Sequence, residues 1–284
     1  MEWKKAKTIL IWLFIVIDVC LLAYNIYSNY GNNKVDFESL LPVLNSNNIK
    51  IGDTVSVTNK KYAFVYECKK AQITEELKTT LLGNYDEISD GRYSSKDKKS
   101  ILKTDGNEFY YENKSPHFKD FSALNDKNSQ KILKKYFKIL GIEEYAQIKS
   151  VTKNDEKYTV SCIFKIGELE IFSSNLTFII STNGIHKIYG TINIPDVKNG
   201  YNFELSNIET ILLNLSRNEQ NNSTSNKKKK ITVEEIKLGC YLSDYENAVT
   251  SQALPAYMIK TKDRIYIYDA REGVDFSNRQ LAIK

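Results

Sequence analysis

Tyr158–Ile194 reads YTVSCIFKIGELEIFSSNLTFIISTNGIHKIYGTINI. Apolar and polar residues alternate through it, the period-2 pattern of strands with one face on a core. Four strands are predicted, at Tyr158–Ile166, Glu168–Ser173, Leu176–Ser181 and Ile185–Ile194, with Asn183-Gly184 supplying the left-handed turn a tight hairpin needs. Just upstream, Ile132, Leu133, Tyr136, Phe137 and Leu140 lie at helical spacing and stop at Gly141. A helix followed by an antiparallel meander points to the α+β class.

The same order is read on either side. Asp36–Asn45 carries Phe37, Leu40, Leu41 and Leu44 on one helical stripe, with Pro42 inside it. Strands are expected at Thr54–Thr58 and Tyr62–Lys69, and a helix over Gln72–Leu82 ending at Gly83. A hairpin is expected over Ser100–Thr104 and Glu108–Asn113, turning at Asp105-Gly106-Asn107. Downstream, Ser206-x-x-Glu209 reads as a capping box opening a helix with Ile208, Ile211, Leu212 and Leu215 on its face, and Thr232-x-x-Glu235 reads as another. Asn218–Lys230 is polar and low in complexity, a mobile surface loop. The chain closes on strands at Ala256–Lys260 and Arg264–Asp269.

The other decisive stretch is Thr8–Tyr27, TILIWLFIVIDVCLLAYNIY, twenty residues with one charge. As a helix it spans about 30 Å, the hydrocarbon thickness of a bilayer. It is longer than the apolar region of a signal peptide and lacks a small-x-small exit, and Cys20 has no lipoprotein context, so the anchor is expected to be retained. Lys4, Lys5 and Lys7 precede it, whereas the first charge beyond it is Lys34. The positive-inside rule puts the N-terminus in the cytoplasm. The expected organisation is a cytoplasmic tail at 1–7, a transmembrane helix at 8–27, and extracytoplasmic α+β units at 28–120 and 121–284, the second carrying the loop 218–230. Asp18 lies mid-span, where a carboxylate costs about 2.5–3.5 kcal/mol on insertion scales. Two readings stay open: it faces a polar group on a neighbouring helix, or it is carried by the leucines and isoleucines around it.

The net charge of +5 is local. Outside residues 1–30 and the run Lys227–Lys230 the charges balance, so there is no basic stripe for nucleic acid. The lysine run suits anionic lipid, an anionic envelope polymer or an acidic partner, and equally a solvated loop. Neither His117 nor His186 has metal-ligand spacing. Cys68, Cys162 and Cys240 are far apart and cannot all pair; they read as buried thiols, with a single disulfide the alternative. No nucleophile elbow, P-loop or dinucleotide fingerprint occurs, so neither enzyme chemistry nor a metal or other cofactor is expected.

The opening MEWKKAKTILIWLFIVIDVCLLAYNIY resembles the start of YycI-type proteins: an acidic residue and Trp, a short Lys cluster, Lys-Thr-Ile, then one apolar span with a polar residue in its middle. Ala253–Gly273, ALPAYMIKTKDRIYIYDAREG, is similar to that family's last hairpin, an apolar-Pro-x-aromatic strand followed by a strand ending Ala270 to Gly273. The Tyr257 position more often carries Trp there. The layout is also similar to PepSY modules. The resemblance covers both ends, the strand-rich middle loosely, and residues 45–150 little. It implies two similar PepSY-like units and an accessory regulator of the WalK/WalR (YycG/YycF) two-component system, whose partners are a WalK-type sensor kinase, a YycH-type protein and membrane lipid. Thr8, Trp12, Asp18 and Asn25 are the partner-binding candidates within the span, although Thr8, Asp18 and Asn25 share no single face. The alternatives from the residues alone are an anchored binding module for an envelope ligand or peptide, and a cell-wall enzyme using scattered carboxylates.

Overall fold

Strict alternation along β8 (Lys157–Ile166) sends Tyr158, Val160, Cys162, Phe164 and Ile166 to the core and their neighbours outward. It is the central strand of an antiparallel trio with β7 (Ala146–Asn154) and β9 (Leu169–Ser181). The computed structural model describes residues 2–31, 35, 37–57, 60–70, 73–117, 128–221, 230–243 and 251–276. The chain is of the α+β class. Its described residues fall into two compact units interleaved in sequence: one takes 1–61, 207–237 and 259–265, the other 62–206, 238–258 and 266–284. The expected boundary between residues 120 and 121 falls in 118–127, outside the described residues.

The larger unit extends from that trio. β10 (Gly184–Thr191) pairs antiparallel with β9, and β6 (Glu108–Asn113), β5 (Ser100–Asp105), β4 (Arg92–Ser95) and β3 (Tyr85–Ser89) follow in a meander. On the far side of β9 come β12 (Ile231–Ser243), β13 (Ser251–Thr261), β2 (Tyr62–Lys70) and β11 (Asn193–Glu204), and β14 (Ile265–Asp269) pairs with β13. Cys240 of β12 meets Ile171 of β9 in parallel. That contact requires Gly239, because a Cβ there would lie 2.4 Å from both the Glu170 carbonyl oxygen and the Phe172 ring.

Helices α3 (Glu75–Leu82) and α4 (Ser129–Ile139) contribute Leu77, Leu81, Leu133, Tyr136 and Phe137 to a core shared with Leu102, Tyr111, Phe164, Phe178 and Ile188 of the strands. α3 starts at the Thr74 cap, whose hydroxyl accepts from the Leu77 N–H, and ends at Gly83 with φ +66°. A second cluster joins Val65, Leu254, Ala256 and Ile267 to Tyr241 and Phe276, whose rings stack at 4.9 Å. In the smaller unit, β1 (Ile49–Ile51) pairs in parallel with the first residues of β12, and α2 (Phe37–Ser46) contacts α5 (Ile208–Asn221). Ser216 donates to the Asn47 carbonyl at 2.6 Å, and Arg264 approaches the buried Glu219 carboxylate at 3.5 Å.

Several expectations need correcting. Thr232 and Glu235 cap no helix: they lie within β12, where Ile231, Thr232, Val233 and Ile236 are β-branched and stiff, and pairing partners flank the strand. α5 begins at Ile208, two residues beyond Ser206, whose hydroxyl donates to the Arg271 carbonyl. Residues 54–57 form a turn and irregular chain, while Ile49–Ile51 takes the position beside β12; residue 58 is outside the described residues. Glu168–Ser173 and Leu176–Ser181 are one strand, β9, and Ile185–Ile194 is divided between β10 and β11. The helix expected from Gln72 begins at Glu75. α5 runs to Asn221 and so takes the start of the expected loop 218–230, of which 222–229 lie outside the described residues.

Candidate functional site

The polar residues singled out in the apolar span all lie on α1 (Glu2–Gly31), one uninterrupted helix. From Leu10 to Leu22 every large apolar side chain is 43–64% exposed. The helix is therefore apolar on all sides, not amphipathic. In water such a surface is costly, at about 25 cal/mol per Å² of apolar area, and a helix of this kind is found buried or in lipid. Among the described residues no helix is long and apolar enough to cross a membrane. The continuous run of described side chains in α1 ends at Ala23, whereas the expected span continues to Tyr27.

At about 100° per residue, Thr8 and Trp12 fall on one stripe, four residues apart. Asp18 and position 25 fall on another, seven residues apart. The helix thus sorts the four candidates into two pairs and does not bring them together. Trp12 is 63% exposed. Asp18 is exposed as well, with no hydrogen-bond or ion-pair partner among the described residues. The side chain of Asn25 lies outside the described residues.

The larger unit carries a polar groove of about 500 Å³ beside the C-terminus of α3. Thr79, Thr80 and Asn84 line one side, Lys96, Asp97 and Lys99 the other, with Asn113 and His117 contributing as well. A buried network supports it. The Tyr111 hydroxyl donates to the Leu81 carbonyl at 3.0 Å and accepts from the Asn113 amide at 3.1 Å. Ser95 donates to Asp97 at 2.6 Å and accepts from the Ser100 N–H at 2.9 Å. The Ser95 hydroxyl and the Lys99 N–H hold the Asp97 carboxyl below its usual range, while burial pushes the Tyr111 hydroxyl up. Nearby, the Lys78 ammonium bonds Glu75 at 2.5 Å and lies 4.6 Å from the Tyr93 ring centre, tying α3 to the β3–β4 hairpin. No sequence motif announces the groove. Its members come from three stretches of chain, 79–84, 95–100 and 113–117, and the bonds within a stretch, from Ser95 to Asp97 and from the Ser115 N–H to the Asn113 oxygen, are local.

The groups weighed for chemistry are dispersed. His186 accepts from or donates to the Ser181 hydroxyl at 2.9 Å. Burial first, and then Lys157, lowers its pKa. Cys68, Cys162 and Cys240 are free and buried, and burial pushes each thiol up to about 12. Among the described residues no three of His, Cys, Asp and Glu gather as a metal site.

No family model matches the sequence, and no curated protein does. Solved structures do show similarity. An uncharacterized protein from Eubacterium rectale is 13% identical, with a TM-score of 0.49 over 80% of this chain and 89% of that one. YycH from Bacillus subtilis is 14% identical, with a TM-score of 0.43 over 76% of this chain and 55% of that one. The YpeB C-terminal domain from Bacillus megaterium is 12% identical, with a TM-score of 0.29 over 86% of this chain and 96% of that one. Likeness at this level carries no conclusion about what the chain does.

Proposed function

We propose that this chain is a membrane-anchored accessory regulator of a sensor histidine kinase, working by binding and without catalysis. α1 crosses the membrane with Lys4, Lys5 and Lys7 on the cytoplasmic side, and the α+β body stands outside. The observation that carries this reading is α1 itself: thirty continuous helical residues, apolar on every described side from Leu10 to Leu22, interrupted by one carboxylate. Intramembrane ionisable groups are costly to keep and mark contact sites and pathways. Asp18 is accordingly the proposed contact with the kinase's transmembrane helix. The kinase as partner rests on the resemblance of the chain's two ends to YycI-type proteins, and a YycH-type protein is the proposed partner of the outer body. A second reading, an anchored module for an envelope ligand or peptide, has the polar groove beside α3 as its observation.

The test is Asp18→Leu in the full-length protein, with membrane pull-down of partners and a readout of kinase output. Loss of a membrane partner and altered output at unchanged expression support the regulator. Unchanged partners and output remove Asp18 from the mechanism and leave the outer groove to be tested.

A further inference from the structure

We infer that the groove beside α3 binds the C-terminal end of a short peptide, with the terminal carboxylate on Lys96 and Lys99 and the peptide's N–H groups on the end of α3. The inference rests on the second reading above and names the class of ligand for that groove. Two different kinds of unmet group line it. α3 brings its last carbonyls, where the helix dipole favours donors and disfavours anions. The Gly83 N–H bonds the Thr79 carbonyl and the Tyr111 hydroxyl bonds that of Leu81. Among the described residues no backbone bond outside the helix reaches the carbonyls of Thr80 and Leu82, which also line the groove.

The turn between β4 and β5 supplies the charges. Asp97 is engaged by the Ser95 hydroxyl, the Lys99 N–H and, at 3.8 Å, the Lys99 ammonium. Lys96 has no acidic partner among the described residues, so one positive charge in the lining is unmatched. A bare anion would answer Lys96 and leave the helix carbonyls unmet. A peptide end carries one carboxylate and a row of N–H donors together, and capture of a terminal carboxylate is a recurring mode of recognition. The volume of about 500 Å³ lies in the range of ligand clefts. The floor is polar where the strands call for apolar residues: Ser100 and Asn113 share the buried face of Leu102, Phe109 and Tyr111, and they are 5% and 9% exposed. Polar groups at core positions cost stability and are kept where a site uses them. Asn113 gives one amide proton to Tyr111 and its oxygen to the Ser115 N–H, which leaves its second proton for a ligand oxygen.

The experiment uses the full-length protein in mild detergent and fluorescence anisotropy. The probe is a mixture of tetrapeptides carrying a polar dye at the N-terminus and a free C-terminal carboxylate, compared with the same mixture amidated. The acid mixture is expected to bind about tenfold more tightly than the amide, as for one charge-assisted hydrogen bond, and to weaken as salt rises. Lys96→Gln and Lys99→Gln, both at exposed side chains, are each expected to weaken the acid severalfold and leave the amide unchanged. Equal binding of acid and amide, lost when Thr79→Trp fills the groove, overturns the carboxylate and leaves the groove as the ligand site of the second reading. Acid binding that neither lysine substitution alters lies elsewhere on the protein and overturns the inference. Binding of neither mixture overturns it together with a peptide ligand for the second reading.

Discussion

Tyr111→Phe removes one oxygen from the centre of the larger unit and provides a quantitative check on its core. The ring is 0% exposed, so the substitution leaves its packing intact. The hydroxyl donates at 3.0 Å to the Leu81 carbonyl and accepts at 3.1 Å from the Asn113 amide, with the Ser100 side chain also bonding it. A net loss of about 0.5–1.5 kcal/mol per bond applies where water replaces the partner, and about 1–3 kcal/mol where a group is left buried and unpaired. Leu81 and Asn113 both line the groove, so the smaller figure is taken for each bond. The expected loss is about 1–3 kcal/mol. Tyr110→Phe is the control: its hydroxyl bonds Glu112 at 2.7 Å on the partly exposed side of the same strand, and about 0.5 kcal/mol or less is expected. Urea titration of the full-length protein in mild detergent, read by pulse proteolysis, measures both through the midpoint at constant slope. Tryptophan fluorescence does not serve, because Trp3 and Trp12 both lie in α1. Equal effects of the two substitutions, or a Tyr111→Phe loss under about 0.5 kcal/mol, would refute the assignment of a buried, fully bonded hydroxyl.

Further outcomes follow from the core and from the titrating groups. Phe178→Ala, at a fully buried ring 5.8 Å from that of Phe137, is expected to cost about 3–5 kcal/mol in the same titration. The three buried thiols should resist a thiol reagent in native protein and react on unfolding; because folding raises their pKa to about 12, they hold stability below pH 9 and lose it as pH climbs from 9 towards 12. His186 has the opposite sense. Its folded pKa lies below the unfolded 6.5, so its contribution is complete above pH 6.5 and declines as pH falls through the lowered value. His186→Gln should flatten that acid limb, and an unchanged pH profile would remove the histidine from it.

Strong periodicity made α4, α2, β8 and the β5–β6 hairpin legible in the sequence, because each buries one face and the pattern of that face is local. β12 was not. Its capping-box lettering, Thr232 and Glu235, is a statement about a helix end that exists only when the following residues turn helically, and pairing with β1, β9 and β13 decided otherwise. β3 and β4 escaped because Asp86, Glu87, Ser94 and Ser95 give them almost no apolar face; β3 is held by register with β4, β4 by register with β5, and Tyr93 lies against Lys78 of α3. β7 was missed for the same reason, its outward Lys149, Thr152 and Lys153 masking the pairing with β8. For the candidate site, Asp18 could be found because one charge in an apolar run stands out. The groove could not, since Ser95, Ser100, Tyr111 and Asn113 meet only after three strands and α3 have assembled.

The central claim is that α1 crosses a membrane and holds the body outside. Alkaline extraction of membranes from cells making the full-length chain, paired with protease added to intact spheroplasts, tests it most directly. The account predicts that the protein stays with the membrane pellet and that its body is digested without lysis. Release by alkali, or a body protected until the cells are broken, would contradict it.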